Sequence, residues 1–277
     1  MNNPSYGLSK LGLELIMIVL GLLFLFPLYI TVINGFKTYN EIMGSAWALP
    51  ETFSFANYIT VWNQINIPGV FMNSLIITVA SVVFILLISS AAAYQLVRRP
   101  GIVSNVIFLG ILSSLVIPFQ TLMIPLVKIA KELGLIDSLY GLIFIYCGFG
   151  VPLALFLYHG FIKAIPRELE EAAHIDGSGV FGVFFRILLP LMKPITSTIA
   201  ILHTLWIWND FLLPLIMLTS AKNKTIPLAS SIYFGEYNNE YGLAMAALTF
   251  AIIPMVIFFL LMQKYIIQGI TAGAVKG

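Results

Sequence analysis

Long apolar runs separated by short polar segments set the pattern of this chain. Residues 11–33, 71–97, 102–127, 139–161, 195–218 and 242–265 are each predominantly apolar. About 20 such residues suffice for a helix to cross a hydrocarbon core of about 30 Å. Within the runs no polar stripe recurs at helical spacing, as it would on a soluble amphipathic helix. The pattern predicts an all-α integral membrane protein with six transmembrane helices. Gly148, Gly150 and Pro152 interrupt the fourth run, which is therefore expected to be the least regular.

Between the fourth and fifth runs the pattern changes. Lys163, Arg167, Glu168, Glu170, Glu171, Asp176, Arg186 and Lys193 crowd into one segment, a charge density that excludes a seventh span. Pro166 suits the first turn of a helix, the acids at 168, 170 and 171 favour its positive end, and Gly177 suits its stop. The helix should hold about 11 residues over about 16 Å. Leu169, Ala172, Ala173 and Asp176 would share a face by i, i+3, i+4 spacing. Ser178 is placed to cap a second short helix whose Phe181, Phe184, Phe185 and Leu188 would cluster, with Pro190 and Pro194 marking the exit. This helix-turn-helix fits either a solvated loop lying on lipid headgroups or a docking element for a soluble partner.

Composition sharpens the membrane reading. Apolar residues make up 60% and charged residues 9%, against about 25% charge in soluble domains; mean hydropathy is +0.98. A net charge of +2 provides no field to recruit nucleic acid. The single Cys147 cannot form an internal disulfide. Run 11–33 is longer than a signal-peptide core, and no small-x-small cleavage site follows promptly, so it is read as a retained helix. Lys10, Arg98, Arg99, Lys163, Arg167, Arg186, Lys193, Lys264 and Lys276 fall on the side of both termini, whereas Lys37, Lys128, Lys131, Lys222 and Lys224 fall opposite. Positive residues mark the cytoplasmic face. Both termini, Arg98, Gly177 and Lys276 should be cytoplasmic, with Glu51 and Asn238 outside.

Asp210 is the one acid expected deep in a span, about 22 Å along the fifth, and it should face a cavity or a partner. Asn209, Trp208, Trp206 and Gln120 lie in or near spans and would suit a ligand with hydroxyls and an apolar ring face. Hydrogen bonding between helices, with the tryptophans at the membrane interface, accounts for the same residues. That second reading is preferred for Asn73 and His203. His159, His174 and His203 lack metal-ligand spacing and are read as structural, so no metal site is expected. No Gly-x-x-x-x-Gly-Lys-Ser/Thr phosphate loop is present.

The insert resembles a known signature. Glu171-Ala172-Ala173, three residues, Gly177, nine residues, Ile187, one residue, Leu189-Pro190 matches the EAA motif of permease subunits of ATP-binding-cassette importers. The resemblance implies the type I importer permease fold, in which this segment is a coupling helix seated in a groove of the cytoplasmic ATPase. It implies a polar contact with the ATPase for Glu171 and the turn for Gly177. Leu49-Pro-Glu-Thr-Phe-Ser-Phe-Ala-Asn-Tyr58, Ile117-Pro-Phe-Gln-Thr-Leu-Met-Ile-Pro125, Trp208-Asn-Asp-Phe-Leu-Leu-Pro214 and the ending Gly269–Gly277 resemble the carbohydrate-uptake branch, the maltose-transporter type.

That resemblance implies residues 1–69 as an N-terminal helix and outer loop, 70–266 as the core transport domain with the EAA loop at 164–194, and 267–277 as a cytoplasmic tail. The implied partners are a homologous second permease, two ATPase subunits, an extracytoplasmic solute-binding protein and membrane lipid, with no nucleic acid and no cofactor. The outer loop at 222–241 would face the binding protein. The implied cargo is a sugar, with an oligosaccharide the expected form, carried along a pathway that Gln120, Trp208, Asn209 and Asp210 would help to line. In the maltose system the sugar is held mainly by the other permease. A secondary transporter driven by an ion gradient, with Asp210 carrying a proton, is the alternative. An intramembrane protease would need a motif that His174-Ile-Asp does not supply.

Overall fold

The computed structural model describes residues 4–235 and 240–274, and every regular element among them is helical. Lys276 and Asn238, expected on opposite faces of the membrane, lie outside the described residues. Helix α1 (Pro4–Asn34) is followed by α2 (Tyr39–Gly44), α3 (Ala56–Gln64) and α4 (Ile67–Arg98). Next come α5 (Ile102–Ser113), α6 (Phe119–Glu132) and α7 (Leu139–Lys163). The charged insert forms α8 (Glu168–Ile175), α9 (Val180–Val183), a π turn at Phe184–Leu188 and α10 (Leu189–Leu191). The chain continues through α11 (Lys193–Asn209), α12 (Leu212–Met217), α13 (Ile226–Ser230) and α14 (Tyr241–Ala274).

Among the described residues, four segments are long and apolar enough to cross a membrane unaided: Lys10–Asn34, Ile67–Arg98, Leu139–Lys163 and Tyr241–Lys264. Counting each bent pair as one span raises the number to six: Ile102–Val116 with Phe119–Glu132, turning by 105°, and Val180–Leu191 with Lys193–Asn209, turning by 73°. The all-α membrane fold is as the apolar runs predict, but the irregularities lie elsewhere. The fourth run is one continuous helix through Gly148, Gly150 and Pro152. The third breaks before Pro118 instead, where Ile117 and Pro118 are both extended at ψ 118° and 134°. Proline disfavours the α conformation in the residue before it, and here the chain turns where that restriction falls. The fifth run stops as a helix at Asn209, and Asp210 is extended at ψ 134° before α12 begins.

The chain divides into two compact units. One comprises residues up to Pro68 together with Ala229–Pro254. In it the Phe36 ring packs among Phe53, Phe55 and Tyr58 at centroid distances of 5.6, 5.1 and 4.8 Å. The buried Lys37 donates from Nζ to Ser45 O at 3.0 Å, and Asn57 Nδ2 donates to Gly35 O and Lys37 O. Thr38 and Glu41 form a capping box on α2, satisfying two backbone donors reciprocally.

The other unit comprises Gly69–Leu228 and the chain from Met255 onward. Its core gathers Ile77 and Ile85 of α4, Leu142, Tyr146, Leu155 and Tyr158 of α7, Leu188 of the insert and Ile199 of α11. Gly150 sets the packing distance: a Cβ there would collide with Ile85 Cδ1 and lie 3.1 Å from His203 Cδ2. Such close approach of helices is what small residues permit in membrane proteins. At one end of this unit, Asn73 Nδ2 donates to Lys222 O and Lys224 O at 2.8 and 3.0 Å. Asp137, left-handed at φ 53°, accepts there from the amides of Thr219 and Ser220 and from the Ser220 hydroxyl.

Candidate functional site

The charged insert begins as a continuation of α7. Ala164 and Ile165 still bond back to Phe161 O and Ile162 O, so α8 starts only at Glu168 and has 8 residues rather than the expected 11 or so. Its stop is a Schellman motif. Gly177 N donates to His174 O at 3.0 Å, Ser178 N to Ala173 O at 2.9 Å, and Gly177 is left-handed at φ 83°. Ser178 does not cap the next helix: Gly179 occupies that position without a side-chain bond, and Ser178 O lies 2.8 Å from His174 Nδ1.

The helix presents two unlike faces. Glu170 and Ala173 are buried. Leu169, Glu171, Ala172, Ile175 and Asp176 are exposed, with Ile175 at 87%. Ala173 therefore turns away from the face on which Leu169, Ala172 and Asp176 lie. Beyond the turn the four expected residues do not cluster either. Phe184 and Leu188 are buried with Val183, whereas Phe181 and Phe185 are 81% and 52% exposed. Phe184 and Phe185 are consecutive and so point about 100° apart around the helix axis; the buried side falls on Phe184, at the start of a π turn over Phe184–Leu188. Ile187 and Leu189 pack half-buried against the core, and Pro190 is exposed.

The anchor beneath α8 has no local sequence signature. Arg98, the last residue of α4, meets Glu170 at 2.5 Å. Tyr94 Oη donates to the other Glu170 oxygen at 3.2 Å, and Arg98 Nη2 also donates to Ile165 O at 3.1 Å. The Tyr94 ring packs on Phe184 at 5.6 Å. The ionic anchor thus sits beside an aromatic one.

The residues proposed for a solute pathway lie around two chain breaks. Asp210 is partly exposed; its Oδ2 accepts from Tyr146 Oη at 2.9 Å and its Oδ1 from Leu212 N at 3.0 Å. Asn209 is exposed and donates to Leu205 O at 2.7 Å. Trp208 is buried, edge-on to Phe71 at 5.9 Å. Gln120 is exposed in the first turn of α6, and no hydrogen bond joins it to Asn209 or Asp210. A mainly apolar groove of about 820 Å³ is lined by Ser114, Ile117, Leu122, Phe144, Gly148 and Trp206, among others. Trp206, not Trp208, reaches it. Tyr146 is the partner that sequence reading missed, because nothing local connects it to an acid 64 residues away.

The histidines and Asn73 make internal contacts. His159 stacks on Phe108 at 4.0 Å. His203 Nδ1 and Nε2 lie 2.9 Å from Ile199 O and 3.0 Å from Gly150 O, linking α11 to α7. Among the described residues, no group of three His, Cys, Asp or Glu could hold a metal ion.

Comparison with known proteins bears on what this arrangement serves. Residues 85–272 match the family model for the binding-protein-dependent transport system inner membrane component. The probable starch degradation products transport system permease AmyC of Thermoanaerobacterium thermosulfurigenes is 42% identical over 274 residues, covering 98% of this chain and 97% of that one. The melibiose/raffinose/stachyose import permease MelC of Bacillus subtilis is 39% identical over 252 residues, covering 91% of each. Among solved structures, a chain of a bacterial ABC transporter that imports the acidic polysaccharide alginate superposes with a TM-score of 0.78. It is 22% identical, over 96% of this chain and 99% of that one, and so speaks to the fold alone. With its broken-span helical fold and a family match over most of its length, the chain belongs to the inner membrane components of binding-protein-dependent transport systems, as a permease rather than the ATP-hydrolysing subunit.

Proposed function

We propose that this permease carries a sugar, with an oligosaccharide the expected form, from an extracytoplasmic binding protein into the cytoplasm. Transport is driven by ATP hydrolysed in partner subunits and shared with a second, homologous permease. The observation that carries the reading is the two-faced helix α8: one face is anchored by Glu170, and the other presents Glu171 and Ala172 beside the left-handed Gly177. A helix of this kind can receive a soluble subunit and stay fixed to a membrane span. Glu171, Ala172 and Gly177 form the ATPase seat, with the buried Ala173 packed beneath it, and Ile187, Leu189 and Pro190 carry the hairpin back into the membrane. The sugar cargo follows from relatives whose names specify starch degradation products and melibiose, raffinose or stachyose.

Residues 70–266 form the core transport domain of this reading, preceded by the helix and outer loop of 1–69 and followed by a tail at 267–277. Both termini and α8 lie in the cytoplasm, as the positive charges at Arg98, Arg99, Lys163 and Arg167 support. Gln120, Trp208, Asn209 and Asp210 flank the pathway, where the breaks at Pro118 and Asp210 interrupt the spans. Broken helices at membrane depth belong where backbone is buried in protein or lines a water-filled cavity.

Co-expression with the paired permease, the ATPase and the binding protein, followed by reconstitution into vesicles, tests the function. Uptake of a labelled malto- or galacto-oligosaccharide should require internal ATP and the binding protein together. Uptake that follows a proton gradient without ATP would refute it.

A further inference from the structure

The buried face of α8 is small. Ala173 is its one buried apolar side chain, and an alanine offers little area for an apolar grip. A helix of 8 residues is about 12 Å long and reaches one chain neighbour through the left-handed Gly177. Apolar contact alone would leave such a helix able to rock on its hinge.

What holds it is directional. Arg98 Nε donates to Glu170 Oε1 at 2.6 Å while Nη2 lies 2.5 Å from the same oxygen. Tyr94 Oη occupies Oε2, so both carboxylate oxygens are engaged. The second donation from Arg98 Nη2, to Ile165 O, ties in the turn that precedes α8. The Arg98 and Glu170 side chains are only 12% and 9% exposed. Removing two charges from water is costly, and a well-packed apolar pair in the same place is often as stable or more so. Fold stability alone therefore does not call for an ion pair here. Its distinctive physical property is geometric: two converging donors and a third from Tyr94 fix the helix in angle as well as in place.

We propose that Arg98 is a positioning residue for energy coupling: through Glu170 it locks α8 to the end of α4, so that displacement of the α8 surface is passed directly to a membrane span. The proposal rests on the reading of α8 as the ATPase seat. It assigns a transmitting role to two residues outside the Glu171–Pro190 signature.

The test uses the reconstituted complex of both permeases, ATPase and binding protein in lipid nanodiscs. Complex yield, basal ATP hydrolysis, and the stimulation of hydrolysis by the sugar-loaded binding protein are measured. Arg98→Met/Glu170→Met replaces the pair by apolar side chains and should assemble near wild-type yield, yet lose stimulation by about tenfold, within the 5- to 150-fold span usual for coupling between sites. Arg98→Glu/Glu170→Arg should recover part of it, and the milder Tyr94→Phe should fall between. Glu171→Ala, on the exposed face, is run beside them. Normal stimulation in the Met/Met complex, while Glu171→Ala uncouples, overturns the proposal and leaves the docking reading standing. Normal stimulation in all variants overturns both. Reduced yield of the Met/Met complex with an unchanged stimulation ratio assigns the pair a structural role only and also overturns the proposal.

Discussion

Tyr146 of α7 donates at 2.9 Å to Asp210, which sits in the break between α11 and α12, with the tyrosine fully buried and the acid partly open. The second Asp210 oxygen receives the amide of Leu212, so the carboxylate both secures the break and links it to α7. Asp210→Asn keeps one acceptor and should retain assembly and most ATP-dependent uptake. Asp210→Leu strands the buried Tyr146 hydroxyl, which costs about 1–3 kcal/mol. Thermal unfolding of the purified permease pair should therefore drop for Leu and change little for Asn. Equal unfolding of wild type and the Leu variant would refute the bracing role. An Asn variant as inactive in uptake as the Leu variant would instead favour a proton carrier.

Gly177 and Glu171 should separate binding from coupling. Gly177 sits at φ 83°, where a β-branched residue is strained by about 1–2 kcal/mol or more, whereas Asn is better tolerated. Gly177→Val and Glu171→Ala should depress uptake and binding-protein-stimulated ATP hydrolysis while sugar affinity of the binding protein is unchanged. Gly177→Asn should be milder than Gly177→Val. Wild-type stimulation in both severe variants would remove the coupling role from this segment.

The α4–α7 contact predicts a rescue. Gly150→Ala pushes a methyl into Ile85 Cδ1 and should destabilise by about 1–3 kcal/mol, the usual range for overpacking. Ile85→Val deletes that atom and should cost about 0.5–1.5 kcal/mol alone. Thermal unfolding of the double variant should show less destabilisation than the sum of the two. Strict additivity would mean that the two positions do not constrain each other.

Asp137 supplies a pH signature. Hydrogen bonds from Ser220 and Thr219 hold its carboxyl well below the ordinary carboxylate range. A depressed acid stabilises the folded state above its unfolded pKa, about 3.9, and loses that contribution as pH falls toward the lowered value. Asp137→Asn tolerates the same left-handed backbone and removes the charge. Wild type should unfold at higher temperature than the variant near pH 6, and the gap should narrow as pH drops below about 4. A gap independent of pH would rule out the charge as its source.

Orientation is checked with single cysteines at 175 and 51, both exposed, after Cys147 is replaced by Ala. An impermeant thiol reagent applied to intact cells should label position 51 and spare position 175. Labelling at 175 from outside would reverse the topology.

Apolar runs and the EAA spacing were readable because they are local: a span needs only length, and the motif only intervals. Gly177 was readable for the same reason, since a left-handed stop strongly favours one residue type. The placement of breaks was less so. Gly148 and Gly150 look like interruptions in isolation, yet in the packed helix Gly150 is the point where Ile85 and His203 come close. Pro118 carried the better signal, because it restricts the residue before it, while its neighbours are apolar enough to hide the turn. The ion pair of Arg98 with Glu170 and the bond of Tyr146 to Asp210 join residues 72 and 64 positions apart, and no periodicity encodes such meetings. Reading Arg98 only as a marker of membrane sidedness concealed its partner.

Helix α1 carries in its own sequence the means to settle in a membrane. Over its apolar stretch only 6% of the residues are buried, and among its described side chains burial begins at Ile33 and Asn34, where the helix ends. A mean hydropathy of 2.7 over an 18-residue window between Lys10 and Asn34 is ample for bilayer partition by itself. During synthesis this segment leaves the ribosome before the later helices are made, and it can settle in lipid without waiting for them. Its sequence answers to the bilayer more than to a packed interior. Exchanges among leucine, isoleucine, valine and phenylalanine along it should accordingly pass with little effect on folding, a freedom denied to the tightly seated helices around Gly150.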